Sequence, residues 1–95
     1  MAVGTPVSEG SGYAHLSASG AAVTGRGAMV GIFVASCSAS PTITVYDSTT
    51  GSGTLIVNTF TPAAGQFYPL PARFATGLYV AIGGTVDCTV FASPD

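Results

Sequence analysis

The chain has 95 residues, of which 47% are hydrophobic, and two arginines and four acidic residues leave a net charge of −2 at pH 7. A chain of this length forms one domain with one core, and two arginines cannot form the basic groove that nucleic acid requires. The apolar content is too high for a disordered chain, and the longest apolar run, residues 28–35, is far shorter than the roughly 20 residues that cross a membrane.

Residues that favour β-strands alternate with polar or small residues in several short segments, and no segment has helical periodicity. The alternation places Val30, Ile32 and Val34 on one face of the second segment, opposite Met29 and Phe33. Prolines at two positions of the fifth segment confine it to the edge of a sheet. In chain order, the predicted strands are 12–18, 28–36, 42–46, 54–58, 66–74, 78–82 and 86–91.

Glycine-containing turns separate these segments. Residues 47–53 are predicted to form a hairpin loop opened by an Asx hydrogen bond of Asp47, residues 61–65 a second turn, and residues 83–85 a tight hairpin. The spacing predicts a compact antiparallel β-sandwich, Ig-like or jelly-roll-like, of about seven or eight short strands. We expect residues 12–95 to form this single domain and residues 1–11, which lack alternation, to form an N-terminal arm.

The residues that carry chemistry are few and scattered. His15 is the only histidine, and the chain contains no nucleophile elbow of the kind that would supply a serine for a catalytic triad. Cys37 and Cys88 are too few for a zinc site even with His15. A disulfide between them would add about 4 kcal/mol, but two free thiols are favoured because no secretion signal precedes them. We therefore predict no enzymatic activity, no metal and no cofactor.

The scarcity of charge on the surface has two explanations. Hydroxyl side chains alone can solvate a neutral surface, or other protein chains cover much of it. Interfaces between permanent partners are depleted of charge, and this chain lacks the lysines that keep exposed strand edges apart. We favour the second explanation, in which the chain is a homo-oligomer or binds other proteins.

Two sequence runs are similar to a known class of proteins. They are GIFVASCSASPTITVYDSTTGSGTLI and TPAAGQFYPLPARFATGLYVAIGGTVDCTVF, which lie within residues 29–91. Their order of a strand, the run PTITVYD, a Gly-Ser turn and a later Thr/Val/Gly hairpin resembles small virion proteins of tailed bacteriophages. The resemblance implies a compact β-sandwich on the phage particle, of the capsid decoration (cement) type, without catalytic residues.

From this resemblance we predict a structural virion protein that is made in the host cytoplasm and stabilises the capsid by binding its assembled lattice. Its partners would be the major capsid protein or other virion proteins and further copies of itself, a trimer being one such assembly; nucleic acid and membranes are not expected. The predicted interface residues are Ala2, Val3, Thr5, Pro6, Val7 and Tyr68.

Two alternatives remain open. The first is another structural component of the virion, at the neck, the tail or the base of a head fibre. The second is a carbohydrate- or receptor-binding module, because aromatic side chains on a sheet can form a sugar platform. The candidates for that platform are Tyr13, Tyr46, Phe67, Tyr68 and Tyr79.

Overall fold

A computed structural model describes residues 12–94 as a single antiparallel sheet of six strands, without a helix. The predicted all-β, antiparallel class is therefore confirmed. No helix that could span a membrane occurs within residues 12–94. The strands are β1 (Tyr13–Leu16), β2 (Gly20–Thr24), β3 (Gly27–Asp47), β4 (Thr54–Phe60), β5 (Gln66–Phe74) and β6 (Gly77–Pro94).

The two longest strands, β3 and β6, pair with each other from Gly27↔Pro94 to Tyr46↔Tyr79 and form the centre of the sheet. Each has two shorter neighbours on its other side. Half-sheet A contains β1, β5 and the parts of β3 and β6 that pair with them. Half-sheet B contains β2, β4 and the remaining parts of the two long strands. As predicted, the proline-containing β5 lies at an edge and pairs only with β3 among the described strands.

The sheet bends sharply between its two halves. β3 has 21 residues, which would span about 70 Å if extended, whereas the longest dimension of the described structure is 38 Å. The bend falls at Ala39 and Ser40, whose φ angles are 59° and 58°. Gly84 lies opposite with a φ of 69°, and a Cβ there would come within 2.8 Å of the Ser40 carbonyl oxygen. Only glycine fits this approach without strain.

The described residues form six strands, whereas seven or eight were expected, and the difference has a related reason. Predicted strands 28–36 and 42–46 are parts of β3, and 78–82 and 86–91 are parts of β6. Residues 83–85, which were predicted to form a hairpin, instead lie within β6 opposite the bend in β3. The same strand, β3, supplies the backbone partners of β6 before and after these residues. The short strand β2, rich in small residues, was not predicted.

Side chains from both half-sheets form one hydrophobic core. The alternation of β6 predicts its buried positions correctly, but the prediction for the start of β3 is wrong. A register shift between Met29 and Gly31 turns Val30 outward, where it is 48% exposed, and Met29 inward. The fully buried larger side chains are Ile32, Val34, Ile43, Val45, Leu78, Val80, Val86, Cys88 and Val90.

Candidate functional site

Four aromatic side chains lie on the outer face of half-sheet A, one on each of its strands. Tyr13 of β1 is opposite Phe91 of β6, and Phe33 of β3 is opposite Phe67 of β5. Tyr13 is 75% exposed, Phe67 45% and Phe33 38%, while Phe91 is half-buried between them. We call this surface the aromatic face. Exposed apolar residues that adjoin one another mark contact sites more often than single ones do.

Gly31 allows the rings of the aromatic face to meet. It is paired with Phe91 in β6, and a Cβ at this position would lie 2.6 Å from Cζ of Phe67. The rings of Phe67 and Phe91 therefore extend over Gly31 into an edge-to-face contact, with their centroids 6.2 Å apart. Aromatic pairs favour this geometry, so the two rings adjoin and form one apolar surface.

A contact between a histidine and a carboxylate borders the aromatic face. Nε2 of His15 contacts Oδ1 of Asp87 across β1 and β6, and the two side chains are 61% and 46% exposed. A catalytic triad places its histidine against a buried carboxylate, which this exposed arrangement does not provide. Exposed pairs of this kind contribute little to stability.

The other tyrosines proposed for a sugar platform lie elsewhere. Tyr68 is half-buried on the inner side of β5, where its ring packs against that of Phe60 with the two ring centroids 5.1 Å apart. Its hydroxyl oxygen accepts a hydrogen bond from the backbone N–H of Ala63 at 2.8 Å, which holds the turn before β5. Tyr46 and Tyr79 are paired with each other in half-sheet B. Of the five candidates, only Tyr13 and Phe67 share the aromatic face.

Two members of the aromatic face were missed by sequence reasoning. Phe33 and Phe91 alternate with the buried residues Ile32, Val34 and Val90, so alternation assigns both phenylalanines to the outer face. The missing information was that β1, β6, β3 and β5 lie side by side, which places residues distant in sequence on one surface.

The carboxylate of Asp47 has a structural role that differs from the predicted one. It accepts hydrogen bonds from the backbone N–H groups of Ala75 at 3.0 Å and Thr76 at 2.8 Å, in the turn between β5 and β6. These bonds hold the pKa of Asp47 below its ordinary value. The predicted Asx bond within the 47–53 loop is replaced by Oγ of Ser48, which accepts the N–H of Thr50 at 3.1 Å.

The two cysteines are free thiols, as the sequence favours. Cys37 donates to the carbonyl oxygen of Pro62 at 3.5 Å. Burial, together with the charge of Asp87, raises the pKa of Cys88 to about 11. Residues 12–94 contain no cluster of three or more histidine, cysteine, aspartate or glutamate side chains that could hold a metal ion.

A groove opens at one end of the sheet, between β1 and β2. Its volume is about 270 Å³, and we call it the edge groove. The predicted interface residues Ala2, Val3, Thr5, Pro6 and Val7 lie outside the described residues, which begin at Gly12 in the wall of this groove. The groove is lined by Gly12, Tyr13, Ala14, Ala22, Val23, Thr24, Val90, Ala92 and Pro94.

The chain matches no family model, and no curated protein or solved structure is significantly similar to it.

Proposed function

We propose that this protein is a structural component of a tailed-phage virion, of the capsid decoration type, and that the aromatic face is its contact with the capsid lattice. The observation that carries the proposal is the aromatic face itself, where Tyr13, Phe33 and Phe67 are exposed on the same side of neighbouring strands, with Phe91 between Tyr13 and Phe67. The centres of protein interfaces are enriched in aromatic residues and depleted of charged ones. The resemblance of residues 29–91 to small phage virion proteins supplies the kind of partner.

We further propose that the bent sheet is a two-layer β-sandwich. Residues of both half-sheets share one hydrophobic core, and the smallest dimension of the structure is 18 Å. Two stacked sheets lie about 10 Å apart, which leaves room for side chains on the two outer faces. In this arrangement one layer presents the aromatic face while the other supports it from behind.

Binding would stabilise the capsid by mass action. A protein that binds assembled lattice and not loose subunits shifts the equilibrium towards assembly, and several weak contacts made by an oligomer act together. The arm, residues 2–8, would reach a neighbouring subunit and add a strand to it. Tyr68 would contribute to the interface indirectly, by holding the turn at residues 61–65 in place.

The experiment is co-sedimentation of the purified protein with capsids of the phage that encodes it. The test variant is Phe33→Thr/Phe67→Thr, which keeps β-forming residues but removes two exposed rings. The matched control is Leu55→Thr, because Leu55 is 49% exposed on β4 and lies outside the aromatic face. We expect at least about a tenfold loss of capsid affinity for the double variant, as for buried anchors of other interfaces, and none for the control. Equal binding by all three proteins would contradict the proposal.

The number of copies in purified particles separates decoration from the neck, tail and head-fibre alternatives. Quantitative mass spectrometry should give hundreds of copies per particle for a decoration protein, whereas a symmetric ring at the neck or tail would give about six or twelve. A low copy number would place the protein at one of those sites and overturn decoration of the shell.

The exposure of Tyr13 and Phe67 also favours a second candidate, a carbohydrate- or receptor-binding module, because sugars stack on exposed rings. A glycan array probed with the wild type and with Tyr13→Ala and Phe67→Ala variants tests it. Specific binding that both substitutions abolish would support this function. A wild type that binds no glycan would leave the capsid proposal in place and exclude this one for the sugars tested.

A further inference from the structure

The described sheet has four edge strands, and three of them carry a feature that hinders the addition of a further strand. β5 contains Pro69 and Pro71, which have no N–H to donate. β2 has a bulge between Ala21 and Val23, and the pairing of β4 with β3 shifts its register twice. β1 contains no proline and pairs with β6 without a register shift. Its outer side is therefore the most regular edge that residues 12–94 present.

The backbone groups along β1 point alternately towards β6 and away from it. The carbonyl oxygen of Gly12 accepts the N–H of Ala92 at 3.0 Å, which directs the groups of Gly12 towards β6. By alternation, the groups of Ala14 point the same way, while the N–H and C=O groups of Tyr13 and His15 point to the open side. Of the described strands, only β6 pairs with β1. The open side can therefore form a ladder of hydrogen bonds with one further strand.

The same edge of a second copy complements this one. About a two-fold axis that passes between the two Ala14 residues, antiparallel pairing places Tyr13 of each copy opposite His15 of the other. The two pairs would exchange about four backbone hydrogen bonds and use the outward groups of both strands. An axis through His15 would instead place two imidazole rings opposite each other, which repel when both are protonated. It would also need Ser17, which lies beyond the end of β1. The backbone and the charges therefore favour the axis at Ala14.

The side chains of β1 also suit this pairing. Tyr13 is 75% exposed, the largest value among the exposed large hydrophobic residues of the described chain. In this register the two Tyr13 rings are diagonal neighbours across the axis, a separation that aromatic side chains bridge. The two Ala14 residues form a pair without hydrogen bonds, where strands approach most closely, and a methyl group leaves room for that approach. β1 contains no acidic side chain and no arginine, so no carboxylate or guanidinium of the strand faces its copy.

We propose that β1 pairs antiparallel with β1 of a second copy of this chain, about a two-fold axis between the two Ala14 residues. Such an axis is perpendicular to the sheet, so both copies keep the same face outward. Half-sheet A of each copy then continues into the other, and the two aromatic faces adjoin as one surface. The pairing does not depend on what that surface binds. Its use as a two-site contact with the capsid rests on the proposed function.

Disulfide trapping tests the pairing and its register. Ala14→Cys is introduced into a Cys37→Ser background and the protein is oxidised. The background alone, which keeps the buried Cys88, sets the baseline. Two Ala14 residues about 4.5 Å apart are within the range that a disulfide bridges, so we expect a covalent dimer.

The matched control for this experiment is His15→Cys in the same background. In the proposed register the two residues at this position are diagonal neighbours, too far apart for a disulfide. We expect at least about fivefold more dimer from Ala14→Cys, although His15 is the more exposed residue. Equal yields, a higher yield from His15→Cys, or no dimer from either variant would overturn the assignment.

Self-association without a cross-link provides a second measurement, by analytical ultracentrifugation of the full chain. His15→Pro removes an N–H that points to the open side and leaves the bonds of β1 to β6 intact. His15→Thr is the matched control, because it removes the imidazole but keeps the N–H. We expect the proline variant to associate at least about tenfold more weakly than the wild type, since each dimer loses two hydrogen bonds, and the threonine variant to match the wild type.

Equal association of the two variants, or a wild type that stays monomeric at all concentrations, would overturn the inference. Circular dichroism checks that both variants fold. If the proline variant does not fold, the cross-linking result decides.

The N-terminal residues are the competing occupant of the open side of β1. Deleting residues 2–8 from the Ala14→Cys protein tests them, and we expect the yield of covalent dimer to stay the same. A dimer that forms only after the deletion, or that is lost with it, would show that residues 2–8 decide what lies beside β1. Either result would overturn the inference.

Capsid co-sedimentation separates this inference from the proposed function. A wild type that binds capsids, together with an Ala14→Cys variant that gives no covalent dimer, would overturn the pairing alone. A covalent dimer that forms as expected, together with a wild type that binds no capsids, would contradict the proposed function and leave the pairing in place.

Discussion

The outer faces of the two half-sheets both carry aromatic residues, but those residues are exposed to different degrees. In half-sheet B, Tyr46 and Tyr79 form a cross-strand pair and are half-buried. The loop between β3 and β4 lies against the Tyr79 ring, since a Cβ at Gly51 would sit 3.4 Å from its Cε1. Leu55, which is opposite Tyr46, remains 49% exposed. In half-sheet A, no loop of the described residues shields Tyr13 or Phe67 to a similar degree.

The difference extends to how each region is held in place. Hydrogen bonds hold the loops of half-sheet B in place. The carboxylate of Asp47 accepts them from the turn at residues 75–77, and Oγ of Ser48 accepts one from the N–H of Thr50. The aromatic face is held by ring packing over Gly31. The chain's own loop therefore lies against one ring of half-sheet B, whereas the rings of Tyr13 and Phe67 in half-sheet A stay exposed and adjoin other aromatic side chains. Exposed apolar residues that adjoin one another are typical of a surface that receives a partner.

The largest expected effect tests whether the two half-sheets share one core. Ile32 of half-sheet A and Ile43 of half-sheet B are both 0% exposed. Replacing either by alanine should reduce the free energy of unfolding by about 2–5 kcal/mol, because each change leaves a cavity. Urea unfolding followed by circular dichroism should give one cooperative transition for both variants. Two separate transitions in either variant would show that the half-sheets unfold independently.

Gly31→Ala is expected to have the next largest effect, and it acts on half-sheet A alone. The added Cβ meets the Phe67 ring and the backbone oxygen of Tyr68, so we expect a loss of about 1–3 kcal/mol through overpacking. Gly51→Ala is the matched control in half-sheet B, where the added Cβ makes only ordinary contact with a ring. Thermal unfolding compares the two. Similar melting temperatures for both variants would contradict the role assigned to Gly31.

The sequence predicts single strands better than it predicts their neighbours. Alternation correctly marks Val86, Cys88 and Val90 as one buried face, because it reports burial directly. It cannot report that Gly84 packs against a bulge of β3 at Ala39 and Ser40, because a Gly-Gly pair in a turn and one in a bent strand look alike without the partner strand. The aromatic face depends on the same missing information, since Tyr13 and Phe91 meet only through long-range pairing.

A smaller, pH-dependent effect on stability is expected from Asp47, whose carboxylate holds the turn between β5 and β6. Because backbone hydrogen bonds from Ala75 and Thr76 hold the pKa of Asp47 below its ordinary value, the carboxylate stabilises the fold above the pKa of the unfolded chain, near 4. That stabilisation is lost as the pH falls through the lower folded-state pKa.

Asp47→Asn should therefore lower the melting temperature at pH 7. Between pH 5 and pH 2, the melting temperature of this variant should fall less than that of the wild type. Asp87→Asn is the control, because Asp87 contacts the exposed His15 ring rather than a backbone turn. Melting curves recorded across this pH range decide the matter. An acid transition in Asp47→Asn as steep as that of the wild type would mean that another carboxylate is responsible.

The smallest effect is expected at the margin of the aromatic face. The contact between His15 and Asp87 joins two exposed side chains, and even fully charged pairs of this kind contribute less than about 1 kcal/mol. His15→Ala should therefore leave the free energy of unfolding almost unchanged, as measured in urea at low and at high salt. A loss above about 2 kcal/mol would show that the pair anchors β1 to β6. The comparison of the two faces would then change, because half-sheet A would depend on a polar contact as half-sheet B does.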